Sequence, residues 1–354
     1  MNKTPQTEEN SVRPRTVSIL LTNYNHAKYL PDSLEGICGQ LRPADEIIIV
    51  DDGSTDNSVE IIKSFQKKFS RIQLLENGDN KGVQYSIRRA LNSAKMDFIV
   101  WAAADDLLLP NFLAENMSIL EKNEDAKISF SRLATFKDGS TDINSFDETT
   151  NGLAFDFSAL PHFLEPAQLQ DRLKASYLWL SGNTAVVERL ALKEFDGFIP
   201  ELKWHSDWFS FYAVALRHGT CLIPKTLAAM RVLPETYSSA GMQNAKQQRA
   251  VRTEVSNALA YPHMGDVRKI FRARPCLFSP MGTQMLPTLR QNIRDLDLYI
   301  RYLTWHLNHE GVIKLSQAAN PTPHRTAKRL IGKFFVISSH LLNWFTPAGW
   351  KNPV

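Results

Sequence analysis

Three polar clusters in this chain carry residue types that could work together on a nucleotide. In Thr22-Asn23-Tyr24-Asn25, Tyr24 offers a ring to stack on a base. In Asp51-Asp52, Asp52 can accept hydrogen bonds from a base N–H or a ribose hydroxyl. The pair Asp105-Asp106 is flanked by Ala102–Ala104 and Leu107–Leu109. Ionised acids in so apolar a setting need a partner, and a divalent cation bridging phosphate oxygens would supply one. A rival use of that pair is to cap a helix beginning at Leu107.

These clusters need elements that bring them to one place, and the sequence supplies a βα rhythm. Val17–Thr22, Glu46–Val50, Ile72–Leu75 and Phe98–Ala102 are short apolar runs rich in β-branched residues, the pattern of buried parallel strands. Between them lie helical stretches at Leu30–Cys38, at Asn57–Phe69 with Val59, Ile62, Phe65 and Phe69 at helical spacing, and from Asn80-Lys81-Gly82 to about Ala94. Pro110 marks the start of a further helix. The alternation predicts a parallel sheet with right-handed crossovers. All three clusters then fall at strand carboxyl ends, along the edge where open α/β sheets bind ligands. Gly53 lets the chain turn after Asp52, and Ser54, Thr55 or Asp56 can cap the next helix.

Composition sets the outer bounds. The chain has 354 residues, 43% of them hydrophobic and 22% charged, enough for a large core with an appendage. Cys38, Cys221 and Cys276 are scattered without metal-ligand spacing, and an odd number excludes a full disulfide framework. The first 15 residues are polar and read as a disordered tail without a secretory signal core. No apolar run reaches the roughly 18–20 residues of a spanning helix. These features lead us to expect a cytoplasmic protein. The net charge of +4 hides an asymmetry: residues 241–354 hold 16 Lys/Arg against 5 Asp/Glu, while residues 1–240 hold 25 against 32. An acidic body with a basic tail suggests a second role toward an anionic surface.

The motifs Ser18–Asn25, Asp45–Asp56, Asn80-Lys81-Gly82 and Ala104-Asp105-Asp106 with Pro110 resemble, in order and spacing, the family 2 glycosyltransferases of the GT-A fold. The resemblance is specific over residues 15–135 and weaker to about 235, where Gly182-Asn183-Thr184 is similar to the family's acceptor-side strand. It implies a three-layer α/β/α fold with a mostly parallel central sheet, a nucleotide-sugar-binding half at 16–135, an acceptor half at 136–240 and a basic helical extension at 241–354. It also implies a nucleotide-diphosphate sugar donor, most often a UDP-sugar, Mn²⁺ or Mg²⁺ on the diphosphate, and a glycan or lipid-linked acceptor. Carried onto matching positions, Thr22, Tyr24, Asn25, Asp52, Lys81 and Asp105 would hold the donor. Asp105 and Asp106 would serve the metal, and Asp207 would be the general base of an inverting transfer, with Trp204 and His205 on the acceptor side.

The chain departs from the family pattern in three ways. Ala103 replaces the first acid of the usual Asp-x-Asp motif, Ser206 stands where the catalytic Glu-Asp pair has its glutamate, and no arginine is clearly placed after Asn80-Lys81-Gly82. Lys81 or Arg231 is the alternative cation for the diphosphate, with a surface salt bridge as the ordinary use of Arg231. The first two departures favour a rival of another class, a catalytically silent sugar-nucleotide-binding or scaffold protein of the same fold. A nucleotidyltransferase would want a Gly-rich, basic loop after the first strand, where this chain has Thr22-Asn23-Tyr24-Asn25-His26. At the other end, residues 325–345 interleave Arg325, Lys328, Arg329 and Lys333 with Phe334, Phe335, Trp344 and Phe345. Such a segment could lie peripherally on the inner face of the plasma membrane or pack against protein, including a second copy of the chain. No nucleic-acid partner is expected.

Overall fold

The alternating apolar runs form strands β1 (Val17–Asn23), β2 (Glu46–Asp51), β3 (Ile72–Glu76) and β4 (Phe98–Ala103), all parallel and ordered 3-2-1-4. Helices α1 (Leu30–Cys38), α2 (Ser58–Lys68) and α3 (Val83–Ser93) make the crossovers. The pleat sorts the side chains between two layers. Ile19, Leu21, Ile47, Ile49 and Val100 face a core with α1, α2 and α4 (Phe112–Lys122), while α3 packs on β1 and β2 from the other side. This computed structural model describes residues 14–139, 144–145, 162–175, 178, 180–233, 236–291 and 295–317, with side chains described up to 307. The membrane-facing reading of 325–345 and nearly all of the expected N-terminal tail lie outside them.

Beyond β4 the sheet stops being simply parallel. Strand β9 (Ala185–Glu188) runs antiparallel between β4 and β6 (Ile128–Lys137). Strand β6 pairs in parallel with β10 (Thr220–Val232), and β10 pairs antiparallel with β5 (Leu107–Leu108) at the far edge. Short strands β7 (Asn144–Ser145) and β8 (Phe163–Leu164) attach to β6 and β10. Leu107 therefore opens a strand and not a helix, so Asp105-Asp106 caps nothing, and the helix after it starts only at Phe112. Two further helices precede α7, namely α5 (Pro166–Ala175) and α6 (Arg189–Lys193). Helix α7 (Ser206–His218) lies on β6 with Phe209, Phe211 and Tyr212 fully buried.

The described chain divides into two compact units, Met1–Met281 and Gly282–Val354. The first includes α8 (Tyr237–Gln243), α9 (Ala245–Leu259), which packs on the turn Pro200–His205, and α10 (Gly265–Ala273), which packs on α7. The second contains α11 (Met285–Gln291) and α12 (Leu296–Gln317), packed on each other. No helix among the described residues is long and apolar enough to cross a membrane.

Candidate active site

The carboxyl ends of β1, β2 and β4 are level, because Thr22 pairs with Val50 on one side and Ala103 on the other, and Asn23 pairs with Asp51. Three clusters far apart in sequence therefore share one edge. Asp51 is 1% exposed and takes Asn23 Nδ2 at 2.7 Å, Ser54 N at 2.9 Å and Ser54 Oγ at 2.7 Å. Asn25, in the left-handed region at φ 56°, receives Thr55 N on its Oδ1 and gives its own N–H to Ser54 Oγ. Asn25 and Asp51 thus tie the loops after β1 and β2 together. Tyr24 stands out of this network, 42% exposed, its ring open at the edge. Thr22 is half-buried beneath it.

Asp52 is also buried, but its carboxylate turns toward the segment before α3. Its Oδ1 accepts Asn77 Nδ2 at 2.6 Å and Lys81 N at 3.0 Å, and its Oδ2 accepts Gly82 N at 2.9 Å. Asp52 thereby holds the Asn80-Lys81-Gly82 turn, in which Asn80 Oδ1 also accepts Gly82 N at 3.0 Å. Gly82 (φ 89°) has the backbone freedom the turn needs. Lys81 contributes its backbone N–H here, while its ammonium is half-exposed beside Asp79.

Asp105-Asp106 sits in a different environment. Asp106 Oδ1 accepts Arg231 N at 2.9 Å and its Oδ2 accepts Asn183 Nδ2 at 3.0 Å. Burial, followed by the neighbouring Asp105 charge, pushes its pKa up to about 7, the two hydrogen bonds opposing the shift. The Asp105 carboxylate accepts no hydrogen bond from the described residues and is partly exposed. Arg231 is not on the surface. It is 6% exposed, with its guanidinium over the rings of Tyr29 and Phe136 at 4.9 and 4.5 Å.

The turn Gly182–Thr184 joins this acid pair to Asp207. Asn183 reaches Asp106, and a Cβ on Gly182 would lie 2.1 Å from Asp207 Oδ2, so the Asp207 carboxylate is seated directly against the glycine. Ser181 Oγ donates to Asn183 Oδ1 and thereby aims the amide N–H₂ at Asp106. Asp207 lies in the first turn of α7, where Trp208 N donates to its Oδ1 at 2.7 Å. Burial nevertheless raises its pKa above the ordinary carboxylate range.

Trp204 and His205 precede it on a strained turn, in which Lys203 holds φ 50° and ψ −120°. His205 is 7% exposed, edge-on to Trp208, and its pKa is lowered to about 4 by burial and then by the Arg252 charge. It is a neutral packing residue. Trp204 is partly exposed, edge-on to Tyr237 and against Gly241, and its buried indole N–H has no partner among the described residues.

The edge therefore unites Thr22, Tyr24, Asp105, Asp106 and, through one turn, Asp207. Asn25, Asp52 and the Lys81 backbone shape its walls. Sequence reasoning did not reach Asn77 or the partners of Arg231, because no local pattern reports the pairing of β5 with β10. Among the described residues no group of three or more His, Cys, Asp or Glu could hold a metal ion by itself.

Residues 18–172 match the model of the family described as Glycosyl transferase family 2. Among curated proteins, the putative glycosyltransferase EpsE of Bacillus subtilis is 35% identical over 108 residues, 30% of this chain and 39% of that protein. The putative teichuronic acid biosynthesis glycosyltransferase TuaG of the same organism is 26% identical over 140 residues, 40% of this chain and 55% of that protein. The matched part of the chain spans about two fifths of the length of several such relatives. Among solved structures, S. aureus TarS 1-349 in complex with UDP-GlcNAc aligns with a TM-score of 0.57 at 16% identity, covering 81% of this chain and 79% of that one. Mannosyltransferase PcManGT from Pyrobaculum calidifontis, in complex with GDP-Man and Mn2+, aligns at 0.51 with 16% identity over 95% of this chain and 88% of that one. The fold is the GT-A α/β fold of these glycosyltransferases. Residues 18–172 thus match a glycosyltransferase family 2 domain, and the curated relatives above are both named as glycosyltransferases.

Proposed function

We propose that this protein transfers a sugar, with inversion, from a nucleotide-diphosphate donor, a UDP-sugar first, to a hydroxyl of a glycan or lipid-linked acceptor, with Asp207 as general base. The observation that carries the reading is the Gly182–Thr184 turn, which touches Asp106 through Asn183 and seats Asp207 through Gly182. One short segment thus spaces the donor-side acids from a desolvated carboxylate across a gap where a sugar can lie. A base with a raised pKa accepts a proton more readily, provided the pH keeps it ionised.

In this reading Tyr24 stacks on the base, and Thr22 lines the nucleoside floor. Asp52 holds the Lys81–Gly82 turn as one wall, with a lone-pair direction left for the nucleoside. The acceptor O–H gives its proton to Asp207 as its oxygen bonds to the anomeric carbon, and the bond from that carbon to the diphosphate oxygen breaks on the opposite face. Attack from one side needs one base, so a lone carboxylate at Asp207 suffices. Trp204, partly exposed, presents its ring to the acceptor.

For a divalent cation, Asp105 fits: its carboxylate accepts no hydrogen bond from the described residues and lies beside a second acid whose pKa is raised by burial and then by the Asp105 charge. Asp106 would support the same charge while its oxygens remain on Asn183 and Arg231. Bound Mn²⁺ or Mg²⁺ would neutralise the diphosphate as it leaves, two carboxylates plus substrate oxygens being an ordinary set for such ions. That TarS and PcManGT were solved with UDP-GlcNAc and with GDP-Man and Mn2+ makes both nucleotides the first donors to try.

The test is release of nucleoside diphosphate from a panel of UDP- and GDP-sugars, with and without Mn²⁺. Turnover by wild type that is lost in Asp207→Asn and weakened in Asp105→Asn is expected. Equal, metal-independent turnover in all three proteins would overturn the assignments. No turnover but tight nucleotide binding would leave a sugar-nucleotide-binding scaffold, the reading that Ala103 and Ser206 favour.

A further inference from the structure

Arg231 meets both members of the acid pair, one through its backbone and one through its side chain, and no substrate role explains its contacts. Its backbone N–H donates to Asp106 Oδ1 at 2.9 Å and its Nε donates to the Asp105 carbonyl at 3.0 Å. The two remaining guanidinium nitrogens reach Asp138 at 3.2 Å and Asp32 at 2.9 Å. Tyr29 and Phe136 cover its two sides. A guanidinium so committed is not free to bind a diphosphate.

The register explains how it arrives there. In β10, Ala228 opposes Leu108 and Ala229 opposes Leu107, so the next residues of β10 continue along the turn that carries Asp106 and Asp105. The acid pair has no strand of its own beyond the two residues of β5. Its conformation depends on what β10 presents, and that is Arg231. Asp32 and Asp138 are 59% and 35% exposed, so water would solvate them without the arginine, and those ion pairs add little to folding. They act instead to hold the guanidinium fork in one orientation, which a lysine's point charge could not reproduce.

We propose that Arg231 is a positioning residue for the Asp105-Asp106 turn, clamped by Asp32, Asp138, Tyr29 and Phe136, and that it sets the direction in which Asp105 is offered to a cation-bound diphosphate. The second half rests on the transferase reading above; the first half does not.

The experiment uses the full chain with Arg231→Lys, Arg231→Met and the double variant Asp32→Asn/Asp138→Asn. Without ligand, hydrogen exchange at backbone amides 104–109 should quicken about tenfold or more in Arg231→Met and less in Arg231→Lys, the signature of local loosening of the turn. The rest of the sheet should keep its protection. In parallel, the affinity for UDP with Mn²⁺ should fall about tenfold in Arg231→Met, partly recover in Arg231→Lys and fall by a smaller factor in the double variant, whose guanidinium loses two of its four holds, while the affinity for UDP without metal stays at the wild-type value. Unchanged exchange at 104–109 overturns the proposal. So does a loosened turn with wild-type UDP–Mn²⁺ affinity, which would make Arg231 structural only. If wild type itself binds no UDP in the presence of Mn²⁺, the UDP and metal reading falls, and the exchange arm alone decides whether Arg231 holds the turn. Should Arg231→Met fail to fold, Arg231→Lys decides both arms.

Discussion

Two Asp-Asp pairs stand at the ends of parallel strands in this protein, and the fold treats them in opposite ways. Asp51-Asp52 is surrounded by donors: Asn23, Ser54, Asn77 and the N–H groups of Lys81 and Gly82 take up its oxygens. Among the described residues the carboxylates of Asp105-Asp106 accept only from Asn183 and the Arg231 backbone, both on Asp106, whose pKa is pushed up to about 7. The satisfied pair shapes its own loops, and in the proposed reading the under-satisfied pair meets a ligand. A carboxylate that accepts several N–H groups is stable as an anion, whereas two acids side by side with few donors call for an external cation. Asp207 belongs with the second kind, desolvated against Gly182 with only backbone N–H groups of its own turn, Trp208's and its own, to support it among the described residues.

The contrast can be broken most forcefully at Asp207. Asp207→Asn removes the base and should lower turnover by about a thousandfold, within the range for general-base catalysis, with little change in melting temperature. Nucleoside diphosphate release and a thermal melt check both halves. In wild type, the base must be ionised and its pKa is raised, so activity should fall as pH drops through a value above the ordinary carboxylate range.

Asp52→Ala attacks the satisfied pair and should act on stability instead. It takes their acceptor from Asn77 Nδ2 and Lys81 N and one of two acceptors from Gly82 N, a loss of about 2–3 kcal/mol for hydrogen bonds to a charged group, read by urea unfolding. Asp105→Asn should do the reverse, sparing stability and weakening UDP binding only when Mn²⁺ is present.

Gly182→Ala probes the spacing between the two halves. A Cβ at 2.1 Å from Asp207 Oδ2 must push the carboxylate aside, so turnover should drop while donor binding, measured by UDP titration, holds. Overpacking of this kind also costs about 1–3 kcal/mol of stability.

A further expectation concerns pH and stability. With a folded pKa of about 7 against an ordinary 3.8, the folded chain keeps the Asp106 proton over a range where the unfolded chain has released it. Stability from this group is therefore greatest below about pH 4 and declines as pH rises toward 7. Asp106→Asn should flatten that slope in urea-derived free energies, with the Asn183 amide turned over to meet the new side chain.

The first half of the fold was legible because its signals are local. Runs such as Glu46–Val50 and the helical spacing of Val59, Ile62 and Phe65 report burial directly, and the strand ends followed from them. The role of Leu107 was not legible. Its run is as compatible with a helix start as with a strand, and only β10, more than a hundred residues later, decides for the strand by pairing with it.

By itself the sequence determined the βα order, the level strand ends and the residue types along them, since backbone periodicity and side-chain chemistry are carried residue by residue. It also put Tyr24, Asp105 and Asp207 forward through their resemblance to a family pattern. Only the tertiary structure decided which acids are spoken for. Asp52 is turned into its own loop, His205 is packed away neutral, Arg231 is enclosed beside the acid pair, and Gly182 is bare because Asp207 occupies the space. Desolvation and hydrogen-bond supply belong to the neighbours that folding brings from elsewhere in the chain, and these set the chemistry of each carboxylate.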